Sequence, residues 1–298
     1  MISIVTPTFR PGGLDVLFSS LRQQTDQDFE LVIIDELRPF RRHAADQVGL
    51  GGTWHISPGK PPGSPRWGHY MAALSRGLDY AKGDVILFAS DYTAFATDCI
   101  ARHAAFHASH GPKDVALGPI EYTALPPLHP DFPLEYGWAA IGHDPANPTP
   151  GSYDPWLDKT RRHELYREFR EAYERDLDSG KLDPFMVSTF ATPFAGWKDT
   201  EGLKVFETNH RGPPSQFLNL KNDSMRRELL QGFRFDERAD GTHGHQDSIT
   251  HRQLAKLGAT FTPGGGAVRV LDSHPIAVIR RAGCDDEANL KLAEEAVK

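Results

Sequence analysis

The chain has 298 residues, enough to bury a substantial core in one large α/β domain or two smaller ones. Its 40 acidic and 33 basic residues leave a net charge of −7, which provides no general electrostatic attraction to nucleic acid or anionic lipid. Cys99 and Cys284 are too few for a disulfide scaffold or a cysteine zinc cluster, and no apolar run is long enough to span a bilayer, so the expectation is a soluble, cytoplasmic protein without an integral membrane segment.

The opening third alternates strand-like and helix-like patterns. Residues 2–6 (ISIVT) form a short β-branched run closed by the turn-rich PTFRPGG, and 14–24 then carry Leu14, Leu17, Phe18 and Leu21 at helical spacing. Phe29–Asp35 (FELVIID) repeats the strand signature with an acid at its end, and 53–57 (TWHIS) is a weaker third strand. The loop PGKPPGSPRWG leads to a helical HYMAALSRGLDYAKG and then to a buried-looking strand over 84–88. Strands alternating with helices predict a mainly parallel sheet covered on both faces.

From 119 to 155 prolines and aromatics crowd together, which predicts extended, surface-wrapping chain. A charged helix is expected over 157–177 and a short amphipathic one over 285–298. The organisation expected is a nucleotide-binding half over 1–118, an insertion over 119–215, a return to the same domain over 216–275, and a tail helix over 276–298.

In an open parallel sheet, ligands sit beyond the carboxyl ends of the strands. Three groups with useful chemistry fall there: Thr6-Pro7-Thr8-Phe9, Asp35-Glu36, and Ser90-Asp91. A strand-end acid can accept hydrogen bonds from a ribose or base, and an aromatic offers a stacking surface. Neither GxxxxGK[ST] nor GxGxxG follows the first strand, so P-loop and dinucleotide chemistry are disfavoured. A hard divalent cation at Asp91, helped by Lys60 or Arg66, is the economical way to handle a pyrophosphate.

The segments ISIVTPTF, SLRQQTDQDFELVIID and SRGLDYAKGDVILFASD, with the later NDSMRRELLQGFRFDERADGTHGHQDSITHRQLAKLG, together resemble the family 2-like inverting glycosyltransferases of GT-A fold, enzymes that use nucleotide sugars. The resemblance covers about half the chain and implies a GT-A-like, Rossmann-like sheet flanked by helices, with the Pro/aromatic-rich segment as an insertion shaping the acceptor side. By position it implies nucleotide contacts from Pro7, Phe9 and Asp35, a Mn²⁺ or Mg²⁺ contact from Asp91, a second metal contact from His274, and a general base at Asp247. Arg66 is expected at the diphosphate and Trp197 at the sugar or acceptor pocket. The implied partners are a nucleoside-diphosphate sugar, UDP-sugar favoured, and a hydroxyl acceptor, with nucleic acid not favoured. Three positions depart from the family pattern: Ser90-Asp91-Tyr92-Thr93 has one carboxylate, Gln246 stands where Glu is usual, and Ser75 where Asn is common.

Other readings stand beside these. His243, His245, Asp247 and His251 could gather a transition metal, and Asp247 could simply cap a helix starting at Ser248. Asp35 could be an ordinary turn acid, and Asp91 a surface acid after a buried strand. The alternatives to an active transferase are a catalytically silent nucleotide-sugar- or partner-binding module on the same fold, and a sugar nucleotidyltransferase.

Overall fold

The computed structural model describes residues 1–8, 14–35, 53–56, 69–91, 93–123, 218–240, 245–271 and 286–296. The expected insertion, apart from 119–123, and the 157–177 helix lie outside these residues, as do Phe9, Arg66, Trp197 and His274.

In chain order the elements are β1 (Ile2–Thr8), α1 (Leu14–Arg22), β2 (Phe29–Asp35), β3 (Thr53–Ile56), α2 (Tyr70–Tyr80), β4 (Val85–Ala89), β5 (Thr93–Phe95), α3 (Cys99–Ser109), β6 (Asp114–Leu117), β7 (Ile120–Thr123), β8 (Asn222–Arg226), α4 (Gln246–Lys256), β9 (Thr260–Pro263), β10 (Val268–Leu271) and α5 (Asp286–Glu295). A seven-stranded sheet runs β3-β2-β1-β4-β8-β6-β9, and a three-stranded sheet runs β5-β10-β7. In the larger sheet β8 runs antiparallel to both β4 and β6, and the other pairings are parallel. The expected α/β fold, a mainly parallel sheet with helices on both faces, is the fold observed.

The two faces follow from the period of the strands. Ile2, Ile4, Leu31, Ile33, Val85 and Leu87 point to one side and bury Leu17, Phe18 and Leu21 of α1, the expected helical stripe. Val5, Val32, Ile34, Ile86 and Phe88 point to the other and meet Met71 and Leu74 of α2 and Ile249 and Leu254 of α4. Burying each such side chain contributes about 1.5–3 kcal/mol of transfer free energy. The helix α2 lies so close to β1 that a Cβ at Gly77 would collide with the Val5 side chain.

The first strand is longer than expected. Pro7, read as a turn residue, stays in β1 opposite Ile34, with Thr8 opposite Asp35. Pairing with β4 ends at Val5, so on that side the missing proline N–H leaves no ladder bond unmade.

Under α3 a polar seam crosses the apolar layer. The Asn222 amide donates to Pro119 O and Gly266 O at 3.0 and 2.8 Å, which leaves its oxygen to accept from His103 Nε2–H at 3.1 Å. With His103 neutral, its Nδ1 accepts from the Ser224 hydroxyl at 2.7 Å, and Ser224 Oγ in turn accepts from His107 Nε2–H at 2.8 Å. Burial pushes both imidazoles down to about 4, which keeps this directional chain intact at neutral pH. The seam pins the β6–β7 and β9–β10 connections to β8.

Candidate active site

Parallel strands deliver their carboxyl ends to one edge, and the antiparallel β8 brings its amino end to the same edge. At this edge Asp35, Thr8 and the residues after β4 stand side by side across three neighbouring strands. The Thr8 hydroxyl donates to Asp91 Oδ2 at 2.8 Å. Asp35 and Asp91 are 2% and 1% exposed, so Asp91 is not a surface acid. Buried carboxylates at strand ends are expensive to desolvate, and they recur where a ligand or cation will share their charge.

α4 leads into β9, which is parallel to β6, so its first turn faces the edge with Asp247 in it. The helix starts at Gln246, and His245 is its cap, in a left-handed conformation with φ 58°. Asp247 therefore lies inside the first turn and not at the cap position, where a carboxylate still favours the helix through its free amides. Among the described residues no group of three His, Cys, Asp or Glu side chains could hold a metal ion. Of the histidines in that alternative, His251 packs its ring on Phe261 and burial lowers its pKa, while His243 lies outside the described residues.

One acid escaped the reading of the sequence. Asp223, in β8, pairs with Phe88 and Leu117 and so points to the face that carries α4. It is fully buried. Its Oδ2 accepts from the Asn219 and Leu220 N–H groups, both at 2.7 Å, while Oδ1 has no hydrogen-bond partner among the described residues. Burial above all, with the charge of nearby Asp247, raises its pKa to about 7 against the pull of those two amides. The resemblance implies an Arg-bearing helix at NDSMRRELL, whereas 222–226 form β8, and only its pairing and the nearby charge show that Asp223 shares a face with Asp247.

A cleft of about 740 Å³, lined by residues that include Asp79, Asp84, Arg226, Arg227 and Arg234, opens at the opposite end of the sheet, beside the amino end of β4. Within it Arg234 pairs with Asp79 and Arg227 donates to Ala81 O, and Asp35, Asp91, Asp223 and Asp247 are not among its lining residues. The strand-end row is therefore the better candidate for chemistry.

No family model matches the chain. Over 127 residues it is 32% identical to the PGL/p-HBAD biosynthesis glycosyltransferase of Mycobacterium tuberculosis (strain ATCC 25177 / H37Ra), covering 40% of this chain and 46% of that protein. A protein of the same name from Mycobacterium bovis (strain BCG / Pasteur 1173P2) matches with the same figures. These relatives are glycosyltransferases by name. The chain spans about half the length of the curated relatives it matches. Among solved structures, the mannosyltransferase PcManGT from Pyrobaculum calidifontis in complex with GDP-Man and Mn²⁺ is 12% identical with a TM-score of 0.47, covering 90% of this chain and 56% of that one. S. aureus TarS 1-349 in complex with UDP-GlcNAc is 12% identical with a TM-score of 0.46, covering 91% and 56%.

Proposed function

We propose that the chain is an inverting glycosyltransferase of GT-A type that moves a sugar from a nucleoside-diphosphate sugar, UDP-sugar favoured, to an acceptor hydroxyl. The observation that carries this reading is the row of Asp35, Thr8 and Asp91 at the carboxyl edge of the parallel strands, with the first turn of α4 at the same edge. The likeness to named glycosyltransferases supports it.

In this reading residues 1–118 hold the donor, with Asp35 taking hydrogen bonds from the nucleoside and Pro7 and Phe9 walling its pocket. Asp247 takes the proton of the acceptor hydroxyl as that oxygen attacks the anomeric carbon from the face opposite the leaving diphosphate. Asp223, protonated below about pH 7, lies beside that carboxylate without adding a second charge. The oxygen-only donor set around Asp91 fits a hard cation held by one protein carboxylate and the phosphates of the donor. Such an ion, when bound, stabilises charge on the departing diphosphate. Arg66 and His274 would act on the same group, Trp197 would line the sugar or acceptor pocket, and 119–215 would shape the acceptor side.

The test is thermal unfolding with UDP-, GDP-, CDP- and ADP-linked ligands in Mn²⁺ or EDTA, followed by detection of released nucleoside diphosphate. A cognate ligand at ~100 times its Kd should stabilise the fold by about 2.7 kcal/mol. Asp91→Asn should remove the metal-dependent part of that shift. No shift with any ligand would sink the reading. The single carboxylate of Ser90-Asp91-Tyr92-Thr93 favours, as a second reading, a silent nucleotide-sugar-binding module. That module would give the shift without any diphosphate release.

A further inference from the structure

By sequence α2 belongs to the donor side: it follows 57–68 and leads into β4, at whose end Asp91 stands. Its amino end is nonetheless held by the acceptor side. Asp240 grips it with both oxygens, accepting from Met71 N–H at 2.6 Å and from Ala72 N–H at 3.0 Å. The Tyr70 hydroxyl donates to Leu220 O at 3.3 Å, and one turn further on Phe235 N–H donates to Ser75 Oγ at 3.1 Å. Ser75, which departs from the family pattern, thus serves as part of this junction.

A local residue could have supplied the cap. His69, at the cap position, makes no side-chain cap hydrogen bond, and the carboxylate comes instead from 169 positions away. Burial pushes the Asp240 carboxyl up to about 7, against the two amide hydrogen bonds that favour its ionised form. On its other side Asp240 is separated only by 241–244 from His245, the left-handed residue that opens α4. A second route runs back to the same point. Leu220, held by Tyr70 and itself left-handed at φ 53°, gives its N–H to Asp223, whose carboxyl senses the charge of Asp247. The first turn of α4 also reaches the residue beside Asp240 directly, where Gln246 Nε2–H donates to Ala239 O at 3.5 Å.

We propose that Asp240 is a positioning residue for the base: by clasping the first turn of α2 it fixes the start of α4, and with it Asp247, against the donor side of the site. This inference rests on the reading of Asp247 as the base. Its effect runs through the adjoining Ala239, whose carbonyl holds Gln246 at the start of α4.

The experiment compares the full chain with Asp240→Asn, Asp240→Ala and, as a control at the exposed end of α2, Asp79→Asn. Amide hydrogen exchange is followed at Met71 and Ala72 and at Ile249, the first bonded amide of α4, which donates to His245 O at 2.9 Å. Diphosphate release from UDP- and GDP-sugars with Mn²⁺ is followed in parallel. Asp240→Ala should speed exchange at Ile249 as well as in α2. It should also lower turnover on the order of tenfold to a hundredfold, with donor KM within about twofold. Asp240→Asn keeps one accepting oxygen and should fall between, which preserves the test if the alanine variant does not fold; Asp79→Asn should match the parent. Faster exchange confined to α2 would reduce Asp240 to a plain cap and overturn the proposal. A donor KM that rises in step with the loss of turnover would overturn it too, by moving the effect to the donor pocket. A parent chain that releases no diphosphate from any donor tells against the transferase reading instead, and exchange at Ile249 then decides by itself whether Asp240 holds the start of α4.

Discussion

On the side of β8 facing α3, the buried Asn222 and Ser224 are hydrogen-bonded to His103, His107 and two backbone carbonyls, and His107 Nδ1 alone of this seam lacks a partner among the described residues. On the side facing α4, Asp223 between them is equally buried, yet one of its carboxyl oxygens has no partner among the described residues and it lies within reach of another acid's charge. The first pattern suits a structural joint, because a buried polar network stabilises when nearly all its members are satisfied. The second is costly to the fold and makes sense where a proton or a ligand completes it. One strand thus separates architecture from chemistry by alternation alone.

Four measurements would break or sharpen this contrast. The largest effect should come from Asp247→Asn, which on the chemical face should lower diphosphate release by on the order of 10² to 10⁴ while leaving nucleotide-induced stabilisation in place. Loss of that stabilisation would make Asp247 a structural acid of the first turn. On the architectural face, Ser224→Ala strands His103 Nδ1 and His107 Nε2–H and should cost roughly 2–3 kcal/mol in urea unfolding, with turnover per folded molecule unchanged. A comparable loss of turnover would erase the distinction between the faces.

The two faces should also respond to pH with opposite sign. His103 and His107 have folded pKa values near 4, below their ordinary value of about 6.5, so the unfolded chain binds more protons between those limits and their contribution to stability is lost as pH falls through that window. Asp223 is raised to about 7, so the folded chain binds more protons from about 4 upward and its contribution is lost as pH rises to 7. Stability of Asp223→Asn relative to the parent should therefore increase by up to about 1.4 kcal/mol per pH unit between pH 5 and 7, read from urea midpoints. A flat difference would mean that Asp223 is ionised throughout. The smallest expected effect belongs to that same variant near pH 5. There the asparagine oxygen still accepts from Asn219 and Leu220, and stability should stay within about 1 kcal/mol of the parent.

Much of this molecule could be read in advance because its signals are local. The run FELVIID spans β2 without error, and Leu17, Phe18 and Leu21 proved to be the buried stripe of α1. The helix expected over 157–177 and four of the site residues, Phe9, Arg66, Trp197 and His274, lie outside the described residues, so the structure adds nothing to them. The end of β1 was misplaced because a proline reads as a stop unless one knows that its β4 partner has already ended. Asp247 was read as a possible cap because the left-handed turn at His245, which moves the helix start two residues earlier, has no glycine or asparagine to announce it.

The sequence by itself determined the alternation of strands and helices, the acids at strand ends and the absence of a glycine-rich phosphate loop, since each depends on residues close together in the chain. What the tertiary structure decided was the company those residues keep. It set β8 against the direction of its neighbours, which carries Asp223 to the face of Asp247 and its flanking residues to the histidines of α3. It also brought Asp240 to an amide 169 positions away. Such pairings are chosen by sheet order and helix packing over the whole fold, and short-range periodicity carries no information about them.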